Sequence, residues 1–293
     1  MRVAWCMALL PAILDAQSPR LIATGELAGW LARDTIPMVV VDVRQSWTSY
    51  LQNHLPKAVW LNIETLRAQA GDLPFQLLPA AHYAELFHRL RLTPERRVVV
   101  YSAGDQSNID ATFVAWLLAS AGATQVMVLD GGYAKWELEG RPLTQRYPHD
   151  GLQGGGFQPE RFRPSLASLA DVRAAVAGSG TLLVDARPPE QFHGSAGAQT
   201  RRGHIPGALS HPWKDDLEKP GLALVWKSPE TLRASYTAQG ITPDRDIILY
   251  CNSGTEASHV FFALRYLLGY PRARIYSGAW TEWAEREDLP VAR

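Results

Sequence analysis

One stretch of this chain occurs twice, and that repetition constrains the fold more than any other feature of the sequence. Leu92-Thr93-Pro94-Glu95-Arg96-Arg97-Val98-Val99-Val100-Tyr101 matches Ile241-Thr242-Pro243-Asp244-Arg245-Asp246-Ile247-Ile248-Leu249-Tyr250. Upstream, Val40-Val41-Asp42-Val43-Arg44 matches Leu183-Val184-Asp185-Ala186-Arg187, and His54-Leu55-Pro56-Lys57-Ala58 matches His204-Ile205-Pro206-Gly207-Ala208. Downstream, the segment 130–136 matches 276–283 loosely, with one residue of slack. Four landmarks in one order describe two diverged copies of a single domain. Between Asp185 and Ile205 the second copy is longer, around Gly194 to Thr200. A polar, Gly-rich stretch holding Gly151, Gly154, Gly155 and Gly156 reads as the connection.

Each copy alternates short apolar runs with helical stretches. Residues 38–43, 97–101 and 125–129, then 181–186 and 246–250, are β-branched runs that suit central strands buried on both faces. Residues 111–121 and 257–268 carry apolar side chains round most of a helix, as a buried crossover would. The expected fold class is α/β: two tandem domains, each a mainly parallel sheet flanked by helices. The expected division is a leader over 1–17, a first domain over 18–147, a linker over 148–160 and a second domain over 161–293.

The leader rests on Arg2 followed by an apolar run from Val3 to Ile13, with small or polar residues at Asp15 to Ser18. That pattern predicts a secretory signal cleaved near Ala16, and a periplasmic or secreted protein; otherwise the chain is cytoplasmic. The alternative is a short helix packed on the first domain. No other apolar run is long enough to span a membrane. Lys+Arg and Asp+Glu both number 29 of 293 residues, so charge gives no reason to expect a nucleic-acid or anionic-membrane partner. The two cysteines, Cys6 and Cys251, cannot build a disulfide framework, and no Cys/His cluster has zinc spacing.

Ligand sites in open parallel sheets lie beyond the carboxyl ends of the strands, and the strand ending at Tyr250 runs straight into Cys251. Cys251-Asn252-Ser253-Gly254-Thr255-Glu256 then leads into a helix from Ala257. Backbone amides and the positive end of a helix dipole converge at such a junction, where they stabilise an anion and are expected to favour the thiolate. Gly254 and the small Ser253 let the backbone curl into an anion nest, with the hydroxyls of Ser253 and Thr255 as further donors. A cysteine inside a strand or helix is ordinarily an inert small hydrophobe, but this one stands at the strand–loop junction. Ser102 takes its place in the first copy and leaves that copy catalytically silent, as half of an interface enclosing the site.

Asp185-Ala186-Arg187, Gly203 to Ala208, Cys251 to Ser258, and Gly278-Ala279-Trp280 with Trp283 resemble the rhodanese-type sulfurtransferases. The tandem arrangement with a degenerate first half resembles the thiosulfate and 3-mercaptopyruvate sulfurtransferases. The resemblance implies a ping-pong reaction. Cys251 would take a sulfane sulfur from thiosulfate or mercaptopyruvate as a persulfide and pass it to cyanide, a thiol or a protein acceptor. It implies no metal and no organic cofactor. It makes Arg187 a donor-binding residue alongside Asn252, Ser253, Gly254, Thr255 and Glu256. A salt bridge bracing the domain is the other role open to Arg187. A second donor-binding arginine would fall at Gln191. Asp185, His204, Pro206, Trp136, Trp280 and Trp283 read as structural.

Small loop residues go with mercaptopyruvate and basic ones with thiosulfate in this family. Asn252-Ser253-Gly254 leans to the first, Gln191 leans away, and Glu256 would repel a dianion unless it points to solvent or pairs with Arg187. Weak or specialised thiosulfate turnover is the expectation. Two rival classes are a non-catalytic sulfur-binding module and a cysteine phosphatase. The phosphatase needs an arginine six positions after the cysteine, where this chain has Ala257.

Overall fold

The repeat becomes a repeated sheet. In the computed structural model, which describes residues 19–33, 36–105, 108–148 and 151–293, the first copy contributes β1 (Arg20–Ile22), β2 (Met38–Asp42), β3 (Ala58–Trp60), β4 (Arg97–Tyr101) and β5 (Val126–Leu129). The second contributes β6 (Leu166–Ala167), β7 (Leu182–Asp185), β8 (Leu209–Ser210), β9 (Ile247–Tyr250) and β10 (Ala273–Tyr276). The first sheet runs β1-β5-β4-β2-β3 and the second β6-β10-β9-β7-β8, all neighbours parallel. Position for position, the orders are the same. The leader expected over 1–17, Cys6 and residues 149–150 of the expected linker lie outside the described residues.

The central strands are buried on both faces, β2 and β9 along their whole length, because each sheet lies between two helical layers. The outer layers close separate clusters, one holding Ile22, Met38, Val99 and Trp136, the other Leu183, Ile248, Tyr276 and Trp283. The inner layers merge into one core spanning both copies, from Val41 and Val98 to Val184 and Leu249. The helices Ile109–Ser120 and Thr255–Phe262 meet there, Trp116 edge-on to Phe261 with ring centres 6.4 Å apart and Thr112 Oγ1 3.5 Å from Ser258 Oγ. Apolar side chains all round these helices follow from burial on every side. The expected helix from Ala257 begins two residues earlier, at Thr255, and turns into a π-helical stretch at Ala263–Leu267.

Each copy also extends an antiparallel hairpin over its partner. The hairpin Arg67–Ala70 with Leu73–Leu77 brings Arg67 Nη1 to the carbonyl of Ser253 at 3.3 Å. The hairpin Leu217–Glu218 with Val225–Trp226 leads to Leu224, whose N–H donates to Gly104 O at 2.7 Å, and Trp226, whose N–H donates to Asp130 Oδ1 at 3.0 Å.

Side-chain contacts repeat as well. Trp136 Nε1 donates to Pro142 O at 2.9 Å and Trp283 Nε1 to Pro290 O at 2.8 Å. Tyr133 N donates to Ser102 O and Trp280 N to Cys251 O. These pairs align 130–136 with 277–283 without slack. Gly132 and Ala279 then coincide, both left-handed, at φ +55° and +58°. A glycine tolerates that conformation; the alanine holds it at a cost of about 1 kcal/mol.

Candidate active site

Strand β9 delivers Cys251 to the carboxyl edge of the second sheet, and Gly254 turns the chain back over it. Gly254 sits at φ +93°, with nothing within 4 Å of where a Cβ would stand. In this left-handed turn its N–H donates to Cys251 Sγ at 3.0 Å. The amides of Ser253 and Ala257 also face the sulfur and favour its anion. Three backbone donors from one loop and one helix terminus therefore meet at the thiol, the anion nest expected from the sequence. Cys251 itself is fully buried.

The expected ease of ionisation is not found. Burial, and then the facing Glu256 carboxyl, push the Cys251 thiol up to about 12, outweighing the three amides that pull it down. The resting site holds a neutral thiol. Glu256 is half-buried and makes no ion pair among the described residues. Its carboxyl lies near Cys251 and Trp213, both of which favour its ionised form. Burial, then the charge of Asp185, raise it to about 7 against the pull of Arg187.

Arg187 takes the bracing role. Its Nε lies 2.9 and 3.1 Å from the two oxygens of Asp185, and its Nη2 lies 2.5 Å from Asp185 Oδ2 and 2.8 Å from Gly203 O. Its guanidinium stands over Trp280 at 4.4 Å, and 1% of the side chain is exposed. Asp185 and Gly203 thus engage its Nε and Nη2. Arg44 repeats the pattern in the first copy, bonded to Asp42 and 4.0 Å over Tyr133.

The other loop residues divide. Ser253 and Gly254 hold the sulfur through their amides. Asn252 Nδ2 donates to Gln191 Oε1 at 2.7 Å, and Thr281 Oγ1 donates to Asn252 O at 2.9 Å. Gln191 thus binds the loop where a second donor-binding arginine would fall. The Thr255 hydroxyl faces that of Ser253 at 3.4 Å rather than the thiol. His204 and the tryptophans are structural: His204 Nδ1 bonds Phe192 O at 2.9 Å and stacks on Phe192. Sequence reasoning missed Arg67, Trp213 and Thr281, which reach the loop from other elements and carry no local motif.

The first copy repeats the place, and among the described residues no such cradle is seen there. A cavity of about 820 Å³ lies there, lined by Arg44, Ser102, Asp110, Tyr133 and Lys219 among others. The buried Ser102 hydroxyl has no hydrogen-bond partner among the described residues. Also among the described residues, no group of three or more His, Cys, Asp or Glu side chains is placed to hold a metal ion. No helix there is long and apolar enough to cross a membrane.

A model of the rhodanese-like domain matches the chain twice, over residues 24–139 and 168–286. A putative thiosulfate sulfurtransferase of Synechococcus elongatus is 37% identical over 258 residues, covering 86% of this chain and 79% of the relative. A sulfur carrier protein of Thermus thermophilus, TtuD, is 33% identical, covering 87% of this chain and 90% of its own. The 3-mercaptopyruvate sulfurtransferase of Escherichia coli K12 is 30% identical, covering 90% and 96%. Among solved structures, the Escherichia coli 3-mercaptopyruvate sulfurtransferase SseA superposes with a TM-score of 0.74 at 28% identity, covering 89% of this chain and 98% of that one. Two matched segments spanning most of the sequence, on two sheets of one order, place this chain in the rhodanese-like domain family as a tandem member.

Proposed function

We propose that this protein is a sulfurtransferase in which Cys251 carries the transferred sulfur as a persulfide. The reading rests on one observation: the amides of Ser253, Gly254 and Ala257 converge on Cys251 Sγ at the end of a central strand. A sulfur anion formed there meets donors already in place, so no reorganisation is needed as charge develops. The names of the relatives support sulfur transfer as the reaction class. A phosphatase is disfavoured because the position of its phosphate-gripping arginine is the fully buried Ala257.

The donor is a small anionic sulfur compound, and a monoanion such as mercaptopyruvate suits the site better than the thiosulfate dianion. The loop has no basic side chain, Arg187 is engaged by Asp185, Gln191 is bonded to Asn252, and the Glu256 carboxyl faces the sulfur. Steady-state turnover with each donor, using cyanide as acceptor, tests this. A higher kcat/KM for mercaptopyruvate and weak thiosulfate turnover are expected; no transfer from either would refute the reading. A persulfide carrier handing sulfur to a protein acceptor shares the first half-reaction, and the relative named a sulfur carrier favours keeping it. Fast loading with slow turnover to cyanide and thiols would select it. We further propose export with loss of residues 1–17, to be tested by N-terminal sequencing of the mature protein.

A further inference from the structure

We propose that Arg67, a side chain of the first copy, is a positioning residue for sulfur transfer: it holds the Ser253–Gly254 peptide in the orientation that turns the Gly254 N–H onto Cys251 Sγ. The proposal rests on the reading of Cys251 as the sulfur carrier and gives the first copy a part in the site.

Two ends of one peptide unit carry the assignment. Gly254 N–H donates to Cys251 Sγ at 3.0 Å. The carbonyl of the same unit, Ser253 O, accepts from Arg67 Nη1 at 3.3 Å. A planar trans peptide points its N–H and its C=O in opposite directions, so fixing the oxygen on one side fixes the hydrogen on the other. The neighbouring carbonyls of the loop are tied within the second copy. Cys251 O accepts from Trp280 N at 2.7 Å, Asn252 O from Thr281 Oγ1 at 2.9 Å and Gly254 O from Ser258 N at 2.9 Å. Among the described residues, Ser253 O is the one of these four held from the first copy.

This unit needs holding. Gly254 sits at φ +93° with open space where a Cβ would stand. Glycine takes positive and negative φ about equally well. The peptide before it can therefore turn over, through ψ of Ser253 and φ of Gly254, with little backbone penalty. Turned over, it would present Ser253 O to the sulfur. A carbonyl there accepts from a thiol and repels a thiolate or persulfide anion, whereas the N–H stabilises either anion. A donor on the outer face selects the N–H-inward state. A guanidinium suits that task, because it keeps its charge and a charged donor makes the stronger hydrogen bond.

Arg67 is set for it. The residue follows the 3₁₀ turn Ile63–Leu66 and opens the hairpin that crosses to the second copy. Its side chain is 5% exposed, so its charge is poorly screened by water. Nη2 is anchored on Glu64 Oε1 at 2.5 Å, and the guanidinium stands over Phe75 at 5.1 Å and Phe113 at 5.4 Å. The matching contact in the first copy is neutral. Gly104 lies two residues past Ser102, as Ser253 lies two past Cys251, and its carbonyl accepts from the backbone of Leu224 at 2.7 Å. The counterpart of Arg67, after the 3₁₀ turn Trp213–Asp216, is Leu217. Each copy thus holds the other's loop, and the charged donor serves the loop that carries the cysteine.

The test is single-turnover sulfur loading of the full chain, quenched and read by intact-protein mass spectrometry. Wild type, Arg67→Met and Arg67→Lys are compared over a range of mercaptopyruvate and of thiosulfate, so that maximal rate and half-saturating concentration separate. Methionine keeps the stem and removes the donor. Its maximal rate is expected to fall about 100-fold, as when one preorganised donor to a developing anion is lost. Its half-saturating concentration stays within about threefold of wild type, since the interaction matters only as charge develops. A crystal structure of Arg67→Met is expected to show Ser253 O turned toward Cys251. Lysine brings one point charge where the guanidinium bridges two partners, and should recover about tenfold of the lost rate.

An Arg67→Met protein that loads within about threefold of wild type overturns the proposal. So does a rise in half-saturation with the maximal rate unchanged, which would make Arg67 a donor ligand. A lost rate with Gly254 N still on the sulfur in the variant structure overturns it as well. Each of these results leaves Cys251 standing as the carrier. If Arg67→Met does not fold, Arg67→Lys decides: loading about 3- to 10-fold slower at unchanged half-saturation is expected, and the wild-type rate overturns the proposal. Wild type that loads from neither donor overturns the carrier reading and this proposal with it.

Discussion

Replacing Arg187 by methionine separates a brace from a donor ligand. The substitution keeps the length of the aliphatic stem and removes the guanidinium. Asp185, fully buried, then keeps only the Arg187 backbone N–H at 3.0 Å and the Tyr250 hydroxyl as partners for its charge. Breaking a buried pair in this way costs about 3–5 kcal/mol, because the remaining ion is left uncompensated. Against a total stability of about 5–15 kcal/mol this is a large loss. At roughly 2–4 °C per kcal/mol, Tm falls by about 6–20 °C. Removing both charges together, Asp185→Asn with Arg187→Met, recovers most of that loss, since a neutral pair leaves no stranded ion. Differential scanning calorimetry reads the stabilities, and donor KM is measured well below the transition. An arginine that bound the donor would contribute about 1.5–3 kcal/mol of charged hydrogen bonding, so its loss would raise KM about 10- to 150-fold. The brace predicts a KM change below about threefold in the folded fraction. An unchanged Tm with a tenfold or greater rise in KM would refute the reasoning.

Three further outcomes follow from the same geometry. Trp116→Ala removes a side chain that is 2% exposed and wedged against Phe113 and Phe261. It should cost about 3–5 kcal/mol and lower the unfolding of both copies together in one calorimetric transition, because their inner cores are continuous; two separated transitions would contradict this. Cys251, buried and neutral with its thiol at about 12, should alkylate with iodoacetamide at neutral pH at least about tenfold more slowly than a free cysteine. Rapid modification, read by peptide mapping, would show an open thiolate instead. Ser102→Cys should take up no second sulfur on incubation with donor, since the hydroxyl it replaces is unpartnered among the described residues where Cys251 has three amides; mass spectrometry showing two added sulfur atoms would overturn that.

What could be read from the chain depended on how local each signal was. The repeat, the parallel strands and Cys251 at a strand end were visible because β-branched runs, turn glycines and a cysteine at a junction act within a few residues. The 130–136 match needed slack only because a left-handed Ala279 stands where the first copy has glycine, and the Trp136 and Trp283 hydrogen bonds to Pro142 and Pro290 remove it. The helix start at Thr255 was hidden by the polarity of Thr255 and Glu256, which read as loop. The bracing of Arg187 was left open because sequence names the cation but not the Asp185 fork that engages its Nε and Nη2. The sign of the thiol shift was misread for a similar reason: helix-terminus amides are inferred from order along the chain, whereas burial by the packed halves is a property of the whole fold. Arg67 reaches Ser253 from the other copy, a contact with no trace in either local pattern.

Sulfur loading of Cys251 tests the central claim most directly. Wild type and Cys251→Ser are each incubated with mercaptopyruvate or thiosulfate and weighed intact. The account predicts a gain of one sulfur atom on wild type, mapped to the Cys251 peptide and lost on adding cyanide, and none on the variant. Equal sulfur gain by both proteins, or none by wild type, would contradict it.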